Sequence, residues 1–361
     1  MTFDSEKIKE IIREFPGLTS RQIAKKLGDV EKTDLNRFLY RDCDGVKQID
    51  YKWYLDDEYV LELGGRSWIN EKSFESNLTT SGSLLDSNAS KCTIRFLNNC
   101  QILLIATARI IALVNQAILS KKDVKLDFSK SPKTKNYLDR LGFFDHIHPE
   151  VIIIPKLITE SRAEHYRGNS DTLVEVAAIN LDNFDYLLPK QLTEKFVEHA
   201  GEKYHQAAFT IFSELIGNVQ DHSKTPIPGF AALQLYRGTR HHIQTVISDN
   251  GLGIATTLMR SLERHYPDLF EKLQSYQSNP DIYLVEQALK NGGLSQFGSG
   301  RGLGIKSTQR EAAKYNARVI IRQSNFELEV MYQDGIIKEI NKNTELVTIN
   351  GTQVCFDFFL D

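Results

Sequence analysis

The chain has 361 residues, enough for two or three domains, and its content of 41% hydrophobic and 25% charged residues is ordinary for a globular protein. A formal net charge of −3 excludes a uniformly basic coat for nucleic acid, so any site for a polyanion must be local. The four cysteines lack CxxC spacing, which argues against a zinc site and against a disulfide framework. The most apolar run, residues 102–119, contains Arg109, Asn115 and Gln116, which favours a buried helix over a membrane span. Together with a charged N-terminus that has no apolar signal core, these features predict a soluble, cytoplasmic protein without a membrane partner.

Residues 1–55 are predicted to form a small helical domain. Apolar residues at helical spacing indicate three helices, and an alternating stretch indicates the strand of a hairpin. These segments are residues 7–17, 18–28, 32–42 and 46–55. Three helices followed by a β wing predict a winged helix-turn-helix domain. In the third helix, the set formed by Lys32, Asn36 and Tyr40 lies on a different face from the apolar residues.

This set resembles the exposed face of Z-alpha winged helices, which bind left-handed nucleic acid, and LOTUS-type winged helices share much of the pattern. The match is Lys32, then Asn36 and Tyr40 at four-residue steps, followed by a wing that contains Trp53. The resemblance implies that Lys32 and Arg37 contact phosphates, and that Asn36, Tyr40 and Trp53 form the recognition surface. Two alternatives stay open. With 11 Lys and Arg against 10 Asp and Glu, the domain could dock a protein instead, and both aromatic residues could belong to its core.

The Ser-, Thr- and Asn-rich stretch 76–90 predicts that residues 56–90 form a linker. From residue 91 onward, strand-like and helix-like segments alternate, which predicts an α/β body. The predicted strands are 92–97, 123–128, 151–155 and 172–179, and the predicted helices are 100–119 and 133–141. The first part of the middle segment 91–199 resembles STAS-like modules. An α/β layer that supports a catalytic domain explains the same pattern.

The most informative motifs lie between Phe209 and Thr308. Apolar residues at helical spacing predict a helix over 207–223, which places Glu214, Asn218 and His222 on one strip. An amide oxygen can bind Mg²⁺, and a carboxylate one turn away can orient and deprotonate a water molecule. For His222, a role in capping or bracing the helix is favoured over a catalytic role.

Two glycine-containing motifs follow. A β-rich run leads into Asp249, whose carboxylate at a strand end suits the exocyclic amine of adenine, while Gly251 and Gly253 permit close approach of the backbone. The second motif, residues 297–308, is rich in glycine and precedes a predicted helix, so its free N–H groups suit a phosphate chain. Arg301 within this run is suited to neutralise phosphate charge.

The three motifs ELIGNVQDH, DNGLG and GSGRGLG together resemble the GHKL superfamily, which includes DNA gyrase, MutL-type repair proteins, histidine kinases and MORC ATPases. The resemblance covers about residues 200–361. It implies a Bergerat fold, an α/β (α+β) sandwich whose mixed sheet is covered on one face by helices, with ATP held under a lid.

The resemblance also implies a role for each matching residue. Glu214 would be the general base, Asn218 the Mg²⁺ ligand and Asp249 the adenine contact. The remaining contacts would be Gly251 and Gly253 at the base, Gly298, Gly300, Arg301, Gly302, Leu303 and Gly304 at the phosphates, and Thr352 at the adenine through water. Apart from the resemblance, the insertion 255–297 is framed by glycines and contains two predicted short helices, which favours a mobile lid over the phosphates; a surface insertion without this role is the alternative.

The expected function is therefore a Mg²⁺-dependent ATPase whose winged helix contacts nucleic acid, such as a Z-form or other unusual duplex. Such a protein would act as an ATP-gated regulator or a defence protein, and nucleotide could drive homodimer formation. No histidine lies in the context of a phosphoacceptor helix, which disfavours a histidine kinase. Because the form ELxxNxxDH also resembles anti-sigma serine kinases, a serine protein kinase with a protein-docking winged helix is the alternative.

Overall fold

In the part of the chain that the structure describes, helices pack against three β-sheets. The computed structural model describes residues 3–15, 17–49, 51–55, 58–65, 68–87, 89–98, 100–156, 173–180, 184–223, 225–238, 240–275, 279–291, 311 and 313–360. Within these residues, every helix is too short or too polar to cross a lipid bilayer.

The N-terminal unit, residues 3–55, folds around a core of its own. In chain order it contains α1 (Ser5–Glu14), β1 (Leu18–Thr19), α2 (Ser20–Lys26), α3 (Lys32–Arg41), β2 (Val46–Ile49) and β3 (Lys52–Leu55). The strands form an antiparallel sheet in the order β1-β3-β2. Helix α2 begins where the Gln22 side chain accepts a hydrogen bond from the Thr19 N–H at 2.8 Å. The three predicted helices are confirmed, with ends that differ by a few residues, whereas the stretch predicted as one strand, 46–55, contains two strands that pair with each other.

A four-stranded parallel sheet follows, with helices on one face. Its elements are β4 (Glu58–Leu63), α4 (Glu71–Ser81), β5 (Lys91–Phe96), α5 (Leu104–Leu119), β6 (Asp123–Asp127), α6 (Pro132–Leu141) and β7 (Ile152–Ile154), and the strand order is β4-β5-β6-β7. Alternate residues of the strands are buried on the helical side. The other face carries charge pairs across strands: Arg95 contacts Glu62 at 3.1 Å and Asp127 at 3.4 Å.

The prediction of a linker at residues 56–90 is wrong, because these residues contribute both β4 and α4. Asn70 caps α4 by accepting a hydrogen bond from the Ser73 N–H at 3.0 Å. Phe74, Leu78 and Leu84 are fully buried in the core of the parallel-sheet unit. The one-turn spacing of Phe74 and Leu78 was hidden among Ser, Thr and Asn residues, which occupy the exposed or partly buried positions of this amphipathic helix; Leu84 follows the helix.

The C-terminal part contains a seven-stranded sheet in the order β13-β12-β11-β14-β10-β9-β8. The strands are β8 (Leu173–Ile179), β9 (Gly229–Tyr236), β10 (His242–Ser248), β11 (Ala317–Arg322), β12 (Glu327–Gln333), β13 (Ile336–Asn343) and β14 (Gln353–Phe359). All neighbouring strands are antiparallel, whereas the resemblance implied a mixed sheet. Strand β8 belongs to this sheet, so the predicted middle segment 91–199 is divided between two sheets.

Helices cover both faces of the seven-stranded sheet. One face is covered by α7 (Leu188–Ala200) and α8 (His205–His222), and residues of α9 (Ile254–His265) and α11 (Pro280–Asn291) join the same core. Helix α10 (Pro267–Gln274) packs against α9 and α11. Val354, Phe356 and Phe358 of β14 pack toward these helices, whereas Cys355 packs toward α5. Helix α5 lies between the parallel sheet and the seven-stranded sheet, and every residue from Leu104 to Ile118 is buried. The parallel-sheet unit therefore forms a layer packed against the C-terminal sheet.

A buried ionic layer joins these two units. Glu75 of α4 accepts hydrogen bonds from Arg322 Nε of β11 at 2.8 Å and from Arg109 Nη1 of α5 at 2.6 Å. Arg109 also contacts Glu327 of β12. Arg322 donates further to four backbone carbonyls, including that of Val347 at 2.6 Å. Charges buried in this way are tolerated because each has partners of opposite charge or backbone acceptors.

Candidate nucleotide-binding site

Helix α8 carries the first predicted motif. Its buried stripe, which includes Ile211, Phe212 and Leu215, packs on the seven-stranded sheet. Glu214 and Asn218 lie one turn apart beside this stripe and are partly buried. Among the described residues, neither side chain has a hydrogen-bond partner. Within the part of the chain that the structure describes, their carboxylate and amide groups therefore have no protein partner.

The second motif directly follows β10. The Asp249 N–H donates to the Thr352 carbonyl at 2.8 Å, and its Oδ1 accepts from the Gly251 N–H at 2.7 Å. Burial raises the pKa of Asp249 to about 6, although hydrogen bonds from Gly251 and from Thr352 act in the opposite direction. The structure thus places Asp249 and Thr352, which are about a hundred residues apart in sequence, side by side.

The glycines of this motif are required by the packing of the protein itself. A Cβ atom at Gly251 would overlap with the backbone of Ser223, the residue that ends α8. Gly253 has φ +78°, and a Cβ there would lie 2.8 Å from Gln323 Oε1. These contacts explain Gly251 and Gly253 without a bound base. They also bring the C-terminal end of α8 directly onto the Asp249 turn.

Gln323 is a site residue that the sequence analysis missed. Its Oε1 accepts a hydrogen bond from the Ile254 N–H at 2.8 Å, at the start of α9, and its Nε2 donates to Thr352 Oγ1 at 3.2 Å. Thr352 in turn accepts the Asp249 N–H through its carbonyl at 2.8 Å, so Gln323 and Thr352 connect the first turn of α9 to Asp249. No motif surrounds Gln323, and a polar residue at the end of an apolar strand was the only signal in the sequence.

The phosphate-binding motif lies outside the described residues, and so do all six of its predicted contacts: Gly298, Gly300, Arg301, Gly302, Leu303 and Gly304. The preceding insertion is described in part. It forms α9, α10 and α11 where two short helices were predicted, and the three helices share a small apolar core around Leu258, Leu262 and Leu284. A pocket of about 400 Å³ among these helices contains none of the predicted nucleotide contacts.

The residues predicted to contact nucleic acid differ in their exposure to solvent. Lys32 and Arg37 are exposed on α3, and the Tyr40 side chain is 64% exposed. Asn36 is partly buried, and its Oδ1 is covered without a hydrogen-bond partner among the described residues. This arrangement leaves Lys32, Arg37 and Tyr40 as the accessible groups of the set.

The expectation that Trp53 forms part of the recognition surface needs correction. Trp53 is 1% exposed, and its Nε1 donates to Ser20 Oγ at 2.8 Å, so the indole is a core group of the N-terminal unit. Its ring packs against the edge of Tyr40, with 5.0 Å between ring centroids and an interplanar angle of 68°. Trp53 can therefore act on this face only by positioning Tyr40, whose hydroxyl also donates to Gln48.

Comparisons with known proteins leave the family open. No family model matches the chain, and no curated protein matches it. Among solved structures, one match is described as the crystal structure of the N-terminal domain of a DNA repair protein, with 17% identity. This match covers 45% of the chain and 42% of the other, and its TM-score of 0.20 is too low to support any argument. The structure itself shows a mixed α/β architecture with several sheets.

Proposed function

We propose that this protein is an ATPase of the GHKL type that binds Mg²⁺·ATP between α8 and the β10 and β14 ends of the seven-stranded sheet. The observation that carries the proposal is the convergence of separate segments. The end of α8 contacts Gly251, and the Asp249 N–H donates to the Thr352 carbonyl. Segments that contain or directly follow the first and second motifs therefore meet where β10 ends and β14 begins, although nothing in their local sequences requires it.

The available groups suit different parts of the nucleotide. The Asp249 carboxylate is an acceptor for the exocyclic amine of adenine, and Thr352 is a neighbouring hydroxyl. Within the described residues, no group of three or more His, Cys, Asp or Glu side chains could hold a metal ion. A Mg²⁺ ion would therefore be held mainly by the phosphates of ATP and by waters that it retains, with the Asn218 amide oxygen as the protein ligand. Glu214 would accept a proton from the attacking water.

The first test is Asp249→Asn. Because Oδ1 already accepts the Gly251 N–H at 2.7 Å, an Asn that keeps this bond presents its NH₂ group to the adenine amine. Two donors then face each other in a partly buried site, and we expect the Kd for Mg²⁺·ATP to rise about 100-fold, or about 2.7 kcal/mol. Isothermal titration calorimetry measures this change. Asp334→Asn, an exposed change in the β12–β13 turn, is the control. Unchanged affinity in Asp249→Asn would contradict the adenine assignment.

The same carboxyl group predicts a pH dependence. The adenine amine is a donor, so it favours the ionised form of Asp249, whose pKa is raised to about 6. The affinity is therefore full above pH 6 and falls as the pH drops through 6, by at most tenfold per pH unit. Adenosine is the suitable ligand for calorimetry between pH 5 and pH 8, since it has no phosphate group that titrates in this range. The dependence should disappear in Asp249→Asn.

We further propose that the N-terminal unit is a winged helix that contacts nucleic acid through α3. The topology of three helices with a β1-β3-β2 sheet supports this assignment. Two exposed cations, Lys32 and Arg37, lie on the same helix as the exposed Tyr40, and Arg37 also pairs with Asp34 at 3.8 Å. Groups of these kinds can contact phosphates and stack on a base. This face does not require a basic domain, which agrees with its nearly neutral charge.

A double variant Lys32→Ala/Arg37→Ala is expected to weaken nucleic-acid binding and to lower its salt dependence. Each lost phosphate contact reduces the slope of log K against log salt concentration by about 0.9 for duplex DNA. Fluorescence anisotropy with B-form DNA, Z-prone DNA and double-stranded RNA, at several salt concentrations, measures both quantities. Lys7→Ala is the control, because it removes an exposed positive charge from α1 and leaves α3 unchanged. If the full-length protein binds none of the three ligands, the α3 face is a protein-docking surface instead.

A single assay distinguishes hydrolysis from phosphate transfer to protein. The purified protein is incubated with γ-labelled ATP, and the products are analysed for free phosphate and for acid-stable label on protein. Free phosphate alone supports the ATPase proposal. Acid-stable label on a protein would instead favour the alternative, a protein kinase that phosphorylates a hydroxyl side chain such as that of serine.

A further inference from the structure

The Gln116 side chain of helix α5 connects the parallel-sheet unit to the two loops of the candidate nucleotide-binding site. Gln116 Nε2 donates to Asn250 Oδ1 at 2.8 Å and to the Asn350 carbonyl at 3.0 Å. Gln116 Oε1 accepts from the Asn350 N–H at 2.9 Å. Gln116 is 5% exposed, so these hydrogen bonds are made away from water.

The two loops that Gln116 contacts are those that hold the proposed adenine contacts. Asn250 lies between Asp249 and Gly251, and Asn350 precedes Thr352 by two residues. The loops pack backbone against backbone: Gly351 has φ +95°, and a Cβ there would overlap with the Asp249 carbonyl. Such close packing leaves little freedom for either loop to move without the other.

We propose that Gln116 is a positioning residue. Its hydrogen bonds hold the Asp249 loop (residues 249–253) against the Thr352 loop (residues 350–353) and so fix the adenine end of the site on the side that faces α5. The expected effect on ATP affinity rests on the proposed function, but the hydrogen bonds of Gln116 to the two loops are a property of the nucleotide-free protein. Since Gln116 belongs to α5, the parallel-sheet unit takes part directly in shaping the site. A ligand that orders these loops would correspondingly stabilise the contact between α5 and the seven-stranded sheet.

A neighbouring residue provides a matched control. Asn115 is also a buried amide on α5, and its Nδ2 donates to the His146 carbonyl at 2.9 Å while its Oδ1 accepts from the His148 N–H at 2.8 Å. These partners belong to the parallel-sheet unit and not to the candidate site. Gln116→Met and Asn115→Leu each preserve the approximate volume of the side chain and remove a buried amide from the same helix.

The test compares the full-length protein with both variants by calorimetry with Mg²⁺·ATP and by hydrogen exchange of the nucleotide-free protein. In Gln116→Met we expect faster exchange in residues 249–253 and 350–353 and a Kd for Mg²⁺·ATP raised by about tenfold or more. In Asn115→Leu both quantities should stay near the wild-type values. Equal exchange in these two loops for Gln116→Met and wild type would overturn the proposal, and so would an equal effect of both substitutions.

The failure of the proposed function would look different. If the wild-type protein does not bind Mg²⁺·ATP, the ATPase proposal fails, while the exchange comparison still decides whether Gln116 holds the loops. Should Gln116→Met fail to fold, Gln116→Glu serves as the second variant, because it keeps the acceptor for the Asn350 N–H and loses the donor to Asn250 Oδ1 and to the Asn350 carbonyl. Faster exchange in either of the segments 249–253 and 350–353 would then support the proposed role of Gln116, and unchanged exchange in both would overturn it.

Discussion

Replacement of Glu214 by Gln is expected to lower the turnover of ATP by about 10²–10⁴-fold while leaving the Kd for Mg²⁺·ATP within about threefold of the wild-type value. Glu214 is partly buried on α8, one turn from Asn218, and has no hydrogen-bond partner among the described residues. Glutamine has the same size but cannot take a proton from water. The substitution therefore removes the base and leaves the binding groups in place.

Phosphate release in single and multiple turnover, together with calorimetry, measures the two effects separately. Glu198→Gln on the adjacent α7 is the control, since Glu198 pairs with Lys195 at 2.9 Å in an exposed position. A Glu214→Gln variant with wild-type turnover would eliminate Glu214 as the base. A parallel loss of binding would mean that Glu214 supports the structure of the site and not the chemistry.

The second large effect concerns stability. Glu75→Ala removes the carboxylate that lies between Arg109 and Arg322, both of which are 1% exposed. The two guanidinium groups would then face each other without the shared anion. Breaking a buried ion pair in this way costs about 3–5 kcal/mol, so we expect the free energy of unfolding to fall by that amount. Urea unfolding followed by circular dichroism gives this value from the shift of the midpoint.

Glu62→Ala is the matched control for this measurement. Glu62 also contacts an arginine, Arg95 at 3.1 Å, but on the open face of the parallel sheet, where both partners are partly exposed to water. Exposed ion pairs contribute about 0–1 kcal/mol, so the control should unfold almost like the wild type. Similar losses in the two variants would mean that burial of the ionic layer does not govern its contribution.

The elements that could be predicted from the sequence are those with a strong local pattern. The periodic apolar residues of 207–223 gave α8, and the β-rich run before Asp249 gave β10, because side-chain burial in a helix or strand repeats over a few residues. The glycine and carboxylate of the second motif also indicated a turn at a strand end, which is where Asp249 lies.

The features that the sequence could not indicate depend on contacts between distant residues. Strands β7 and β8 look alike in the sequence, yet they belong to different sheets, since pairing partners leave no mark in a local pattern. Gln116 and Asn250 are separated by 134 positions, and Gln323 and Ile254 by 69. Each glutamine lies in an otherwise ordinary helix or strand end, so only the packed fold reveals which backbone groups it satisfies.

The position of α5 between two sheets has a practical consequence for protein production. A recombinant fragment that begins at residue 200, as the motif boundaries would suggest, lacks edge strand β8 and uncovers the apolar side of the large sheet that α5 shields. Exposed surface of this kind favours aggregation. The smallest stretch that retains both sheets and the helices between them begins near Glu58 and continues through Phe359.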